Sequence, residues 1–181
     1  MKKEVKVLVT TDISEESRLR IQETSEKIDL TVIPTSDPKN ISDEIWAETE
    51  VLYTWNVLPD PSKAPKIRWV QFNSAGVDSF VDHDLICNPE VMATNMSGVI
   101  NSQIAEYVLM AMLAFGQKLP HLFHYQREKK WPKGKEKWEN LLPLELRYST
   151  VGILGYGSIG RQVARLLQPF GATVLAAKKD V

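Results

Sequence analysis

Residues 149–181, STVGILGYGSIGRQVARLLQPFGATVLAAKKDV, decide the fold. An apolar run of strand length at 151–154 enters a turn holding Gly155, Gly157 and Gly160; an amphipathic helix follows, then a second β-prone run at 172–177. That order predicts a β-turn-α-β unit. The first glycine permits the tight strand-to-helix reversal, the second leaves no side chain where a pyrophosphate must approach, and the third lets helix and strand pack closely. Phosphates would then meet the free backbone N–H groups of Ser158 and Ile159 at the positive end of the helix dipole. The turn running from Gly155 through Tyr156, Gly157, Ser158 and Ile159 to Gly160 is the candidate dinucleotide site.

A Gly-x-Gly-x-x-Gly by itself is weak evidence, since glycine-rich turns also serve as plain loops. Its context makes it specific. Ile159, Val163, Leu166, Leu167 and Phe170 recur at helical spacing and define one apolar face to lay on a sheet. Gly171 supplies a C-terminal stop. Pro169 lacks a backbone donor and should tighten or end the helix in its last turn.

With 43% hydrophobic and 25% charged residues, the 181-residue chain has the composition of an ordinary soluble globular protein of one large or two small domains. Lys and Arg number 22 against 23 Asp and Glu, and the net charge of −1 leaves no field favouring nucleic acid or an anionic membrane. The single cysteine, Cys87, excludes an internal disulfide framework, fits a reducing compartment and reads as a buried or inert thiol. The N-terminal apolar stretch is broken at Lys6 and closed by Thr10, Thr11 and Asp12, too short for a signal-peptide core. The longest apolar segment, 104–115, contains Glu106 and falls well short of the roughly 20 residues that cross a bilayer. A cytoplasmic protein is the expectation.

Upstream, strands at 5–9, 30–33, 51–53, 67–72 and 91–94 alternate with helical stretches. One helix, at 18–27, follows a cap at Asp12 or Ser14; a short one carries Ile45 and Trp46 behind Ser42. Prolines at 59, 61 and 65 exclude regular structure from the loop 55–65. Such alternation predicts a parallel α/β sheet with ligand sites at the carboxyl ends of its strands. After the fourth strand, Asn73-Ser74-Ala75-Gly76-Val77-Asp78 is a small-residue turn whose successive N–H groups could form an anion-binding concavity. The competing reading is a plain turn in which Gly76 serves backbone geometry. Asn95-Met96-Ser97-Gly98 follow the fifth strand, and the helix expected at 102–117 is apolar nearly all round, which predicts burial between two domains.

Lys129, Lys130, Lys133, Lys135 and Lys137 are interleaved with Glu136, Glu139, Trp131 and Trp138. The acids dilute the charge, so a solvated surface is the better reading than a nucleic-acid patch. His121, His124 and Glu128 have helical spacing that could hold a metal, but no further ligand cluster accompanies them, and no metal is expected. His83 with Asp82 and Asp84 reads as a polar loop. No Ser-His-Asp or Cys-His constellation can be argued.

Three segments, NSAGVDSF at 73–80, ATNMSGVINSQIAEYVLMAML at 93–113 and LELRYSTVGILGYGSIGRQVARLLQPFGATVLA at 144–176, resemble in order and spacing the D-isomer-specific 2-hydroxyacid dehydrogenase family. The match extends over almost the whole chain. The resemblance implies a flavodoxin-like parallel-sheet substrate domain at 1–98 and, at 99–181, an interdomain helix followed by the first βαβ of a Rossmann-type dinucleotide-binding domain. It implies hydride transfer between NAD(P)H and a 2-keto acid, with the substrate carboxylate met by the backbone at Ala75, Gly76 and Val77. A homodimer with the interdomain helix region in its interface is implied as well. Substrate selectivity is expected from the loop after the third strand, where Trp55 and Asn56 are candidates, and from segments beyond the chain.

In the family an Asp commonly ends the second strand of the cofactor domain and binds the ribose hydroxyls. The matching position here is Lys178, with Lys179 beside it, 18 residues past Gly160 against a usual spacing of about 20. A carboxylate would repel a 2′-phosphate and a lysine reverses that preference, so NADP(H) is expected over NAD(H), unless the strand ends later and Asp180 takes the role. The family's catalytic Arg, Glu and His lie downstream of this strand, and no catalytic residue is assigned here. The expectation is the N-terminal portion of a longer dehydrogenase, truncated within its cofactor domain, inactive by itself and left with an unpaired strand edge at 172–177. The competing expectations are a non-catalytic dinucleotide-binding or dimerisation module and a flavodoxin-like binding domain without a cofactor.

Overall fold

β1 (Val5–Val9) is the strand from which the larger sheet extends in the computed structural model, which describes residues 4–179. It pairs in parallel with β2 (Ile28–Val32) on one side and β3 (Val51–Thr54) on the other. β4 (Trp69–Phe72) and β5 (Met92–Thr94) extend the sheet beyond β3, again in parallel. The order β2-β1-β3-β4-β5 is flavodoxin-like. α1 (Glu15–Glu23) is capped by Ser14, whose Oγ accepts from Ser17 N–H at 3.2 Å. α2 (Asp43–Glu48) is capped the same way by Ser42. α1 ends before the predicted boundary because β2 starts early, behind a turn closed by Ile28 N–H donating to Ser25 O at 3.1 Å.

The core under this sheet gathers Leu8, Trp46, Leu52, Val70, Phe72 and Leu85. The proline-rich loop 55–65 is irregular, yet it does not float in water: Val57, Leu58 and Ala64 are buried in the same core. β1 and β3 are tied at their carboxyl ends. Thr10 Oγ1–H donates to Thr54 Oγ1 at 2.7 Å, Val57 N–H donates to that same oxygen at 2.9 Å, and both threonines are buried. α3 (Asp84–Cys87) precedes β5, and of the two readings of Cys87, buried or inert, the first is corrected: the residue is exposed, its Sγ–H donating to Val81 O at 3.4 Å.

The chain divides into two compact units, Met1–Ser97 and Gly98–Val181. The second holds α4 (Asn101–Gly116), α5 (Leu119–Arg127), α6 (Gly134–Leu141), β6 (Thr150–Leu154), α7 (Ser158–Leu167) and β7 (Thr173–Ala177). β6 and β7 pair in parallel from Thr150↔Thr173 to Leu154↔Ala177, with α7 as the crossover. Pro169 tightens the chain after α7 into a 3₁₀ turn, Gln168–Phe170, which Gly171 ends at φ +71°.

Two expectations for this unit are corrected. α7 buries Gly160, Val163, Ala164 and Leu167, whereas Ile159 and Phe170 are exposed. The close approach of Gly160 to the β6 turn sets which side of the helix faces the strands. α4 is not buried all round: Ala105 packs with Val108, Leu109, Met112 and Leu113 against Val163 and Leu167, while Tyr107, Met110 and Phe115 are more than half exposed. Its composition is apolar nearly all round, but this unit covers only one side.

Candidate functional site

The glycine turn divides into positions the fold demands and one it does not. Gly155 sits at φ +93°, where L side chains are strained. Its N–H donates to Ala177 O at 2.9 Å, extending the β6–β7 ladder by one bond. At Gly160 a Cβ would come within 2.5 Å of Gly155 O and 3.2 Å of Ile153 Cγ2, so no side chain fits. Gly157, at φ −82°, has nothing within 4 Å of where its Cβ would be. Packing leaves that position free, and the open space lies over the start of α7. There Ser158, Ile159 and Gly160 precede the first helical bond, from Arg161 N–H to Gly157 O at 3.0 Å, so their N–H groups face outward from the positive end of the helix. Arg161 Nη1 donates to Tyr156 O at 3.1 Å and holds the middle of the turn. Free N–H groups at a helix N-terminus are the kind of donor set that binds anions.

Lys178 and Lys179 are exposed and follow β7 directly, so the lysines stand at the strand's carboxyl end, next to the Gly155–Ala177 hydrogen bond. Asp180, the alternative to Lys178, lies outside the described residues.

In the first unit, the turn after β4 runs into a 3₁₀ turn, Asp78–Phe80, closed by Phe80 N–H donating to Val77 O at 2.8 Å. Gly76 has no positive φ, and a Cβ there would meet only Asp78 Oδ2, at 3.7 Å, so backbone geometry does not require the glycine. Among the described residues, the N–H groups of Ala75, Gly76 and Val77 have no protein acceptor. Unpaired donors in succession are what the concavity reading needs. Sequence reasoning missed what holds them. Met96 N–H donates to Ser74 O at 2.9 Å, Asn95 Nδ2–H to Ala75 O at 2.9 Å, and Ser74 Oγ–H to Gly76 O at 2.9 Å. Beside the turn, Phe72, Val77, Phe80, Ala93, Thr94 and Asn95 are among the residues lining a cavity of about 400 Å³. Trp55, proposed for selectivity, is exposed just past β3.

The other polar candidates do not converge. Among the described residues no group of His, Cys, Asp and Glu is placed to hold a metal, and His121 and His124 lie on α5. The lysine-rich stretch is a surface: Trp131 and Trp138 are exposed, Lys130 pairs with Glu136 at 2.7 Å, and Lys137 Nζ lies 5.9 Å from the Trp131 ring centroid.

A family model, D-isomer specific 2-hydroxyacid dehydrogenase, NAD binding domain, matches residues 109–181. The chain belongs to the D-isomer specific 2-hydroxyacid dehydrogenase family. It is 31% identical over 136 residues to a glyoxylate reductase of Aeropyrum pernix, across 71% of this chain and 40% of that protein. A crystal structure of a D-isomer specific 2-hydroxyacid dehydrogenase family protein from Aeromonas salmonicida superposes on 98% of this chain and 54% of its own, at a TM-score of 0.77 and 24% identity. Another, from Xanthobacter autotrophicus and in complex with NADPH and MES, covers 99% of this chain and 54% of its own, with a TM-score of 0.73 and 23% identity. The chain spans about half the length of the curated relatives it matches.

Proposed function

We propose that this chain carries the dinucleotide cradle and the substrate-carboxylate turn of an NAD(P)-dependent oxidoreductase acting on a 2-keto or 2-hydroxy acid. The observation that carries the reading is the contrast among the three glycines: backbone conformation requires Gly155 and packing requires Gly160, while neither requires Gly157, which leaves open space at the start of α7 where the pyrophosphate would approach. Bound there, a nicotinamide cofactor supplies the hydride. The chain's own groups bind and orient: the α7 N–H groups take the pyrophosphate, and Ala75, Gly76 and Val77 take the carboxylate. None of these groups is a proton donor for a keto oxygen, so the reading has the 181-residue chain bind without turnover.

Lys178 and Lys179 at the end of β7 favour a 2′-phosphate, hence NADP(H) over NAD(H). Structural relatives are in complex with NADPH and with NAD, so the preference rests on the two lysines. The exposed apolar side of α4 supports a homodimer through that helix. The single unpaired cysteine supports a cytoplasmic location, and among the described residues no helix is long and apolar enough to cross a membrane.

Fluorescence titration of the chain with NADPH and NADH tests the cofactor reading. NADPH should bind tighter, and Lys178→Asp should reverse the order; tighter NADH binding by the native chain overturns the preference, and absence of binding by either overturns the dinucleotide site.

A further inference from the structure

In a trans peptide the C=O of one residue and the N–H of the next point in opposite directions within one rigid plane. Whatever grips a carbonyl therefore aims the following N–H. The described residues contain no cis peptide, and the turn after β4 has this arrangement in succession. Ser74 O is gripped by Met96 N–H at 2.9 Å, which aims the N–H of Ala75. Ala75 O is gripped by Asn95 Nδ2 at 2.9 Å, which aims the N–H of Gly76. Gly76 O is gripped by Ser74 Oγ at 2.9 Å, which aims the N–H of Val77. Every N–H proposed to meet the carboxylate thus has its own tether on the far side of its peptide plane.

We infer that Asn95 and Ser74 are positioning residues that preorganise the carboxylate-binding amides, Asn95 acting on Gly76 N–H and Ser74 on Val77 N–H. This rests on the carboxylate reading of the turn. Neither side chain needs to touch the ligand. The tethers also polarise the peptides they grip, because a carbonyl that accepts a hydrogen bond makes the N–H of its own peptide a better donor. Asn95 is itself fixed, since its Oδ1 accepts from Ser97 N–H at 3.1 Å, which leaves its amide group one orientation in which Nδ2 faces Ala75. The tethers span separate segments: β4 ends before Asn73, while Asn95 and Met96 follow β5. Pairing of the two strands, in the register Gln71↔Thr94, is what brings the tether to the turn.

The test is a titration of the ¹⁵N-labelled 181-residue chain with sodium glyoxylate at constant ionic strength, following the amide signals of residues 75–77. In the native chain all three should shift together and saturate. Asn95→Ala should weaken binding about tenfold and blunt the response of Gly76 most; Ser74→Ala should do the same at Val77, and Ser74→Thr, which keeps the hydroxyl, should restore it. A purely structural role would lower the melting temperature without this residue-by-residue signature. If Asn95→Ala does not fold, the Ser74→Ala and Ser74→Thr pair decides alone. Saturable binding that neither substitution weakens overturns the inference while leaving the carboxylate site standing. No saturable shift in the native chain overturns the carboxylate site and the inference with it.

Discussion

Gly157 and Gly160 sit three residues apart in one turn and should respond to the same substitution in opposite ways. Gly160→Ala drives a Cβ into Gly155 O and should cost about 1–3 kcal/mol of stability. Gly157→Ala meets open space and should cost less than about 1 kcal/mol, yet it should abolish dinucleotide binding, because the methyl occupies the pyrophosphate's approach. Thermal melts beside NADPH titrations separate the two effects; a Gly157→Ala chain that binds normally would remove the argument for the cradle. Most of this turn was legible in the sequence, since local backbone geometry dictates where glycine must stand. Asn95 was not legible as a partner of Ala75. The two meet through strand pairing across a separation of 20 residues, and nothing in the local pattern of either marks the meeting.

Among the elements, α4 shows where periodicity misleads: an all-apolar helix predicts burial, but how many sides are covered depends on what surrounds it. α5 and α6 are joined instead by a polar cluster. Lys130 Nζ donates to Glu136 Oε1 at 2.7 Å, Tyr125 Oη–H donates to the same carboxylate oxygen at 3.2 Å, and Asn140 Nδ2–H reaches Tyr125 Oη at 2.9 Å. The hydrogen bond from Lys130 is the main cause holding Glu136 below its ordinary carboxylate value. A carboxyl whose folded value is depressed lends stability above its unfolded value and loses it as pH falls through the folded one. The melting temperature of the native chain should therefore exceed that of Glu136→Gln at neutral pH, by a small margin because the group is exposed, and the gap should close as the solution is acidified through the carboxylate range. A gap independent of pH would assign the cluster's effect to packing.

For the whole molecule, the alternation of strands and helices was enough to read a parallel α/β sheet, because hydrophobic period and turn residues are local. The order β2-β1-β3-β4-β5 came only from the family resemblance, since the side of a sheet on which a crossover returns is written in no short stretch of sequence. The two units have separate cores, so truncations within them should act locally. Leu52→Ala and Leu167→Ala should each cost about 2–5 kcal/mol, the first lowering hydrogen-exchange protection in β1–β5 and the second in α4 and α7. Equal loss throughout after either change would mean that the chain unfolds as one cooperative body. The paired hydroxyls of Thr10 and Thr54 bear on where this fold can bind anything. In a flavodoxin-like sheet the default ligand crevice opens at the topological switch point between β1 and β3, where connections leave toward opposite faces. Here the Oγ–Oγ hydrogen bond and the amide of Val57 tie the two strand ends together across that mouth, and the turn proposed to take the carboxylate lies one strand further, at the end of β4.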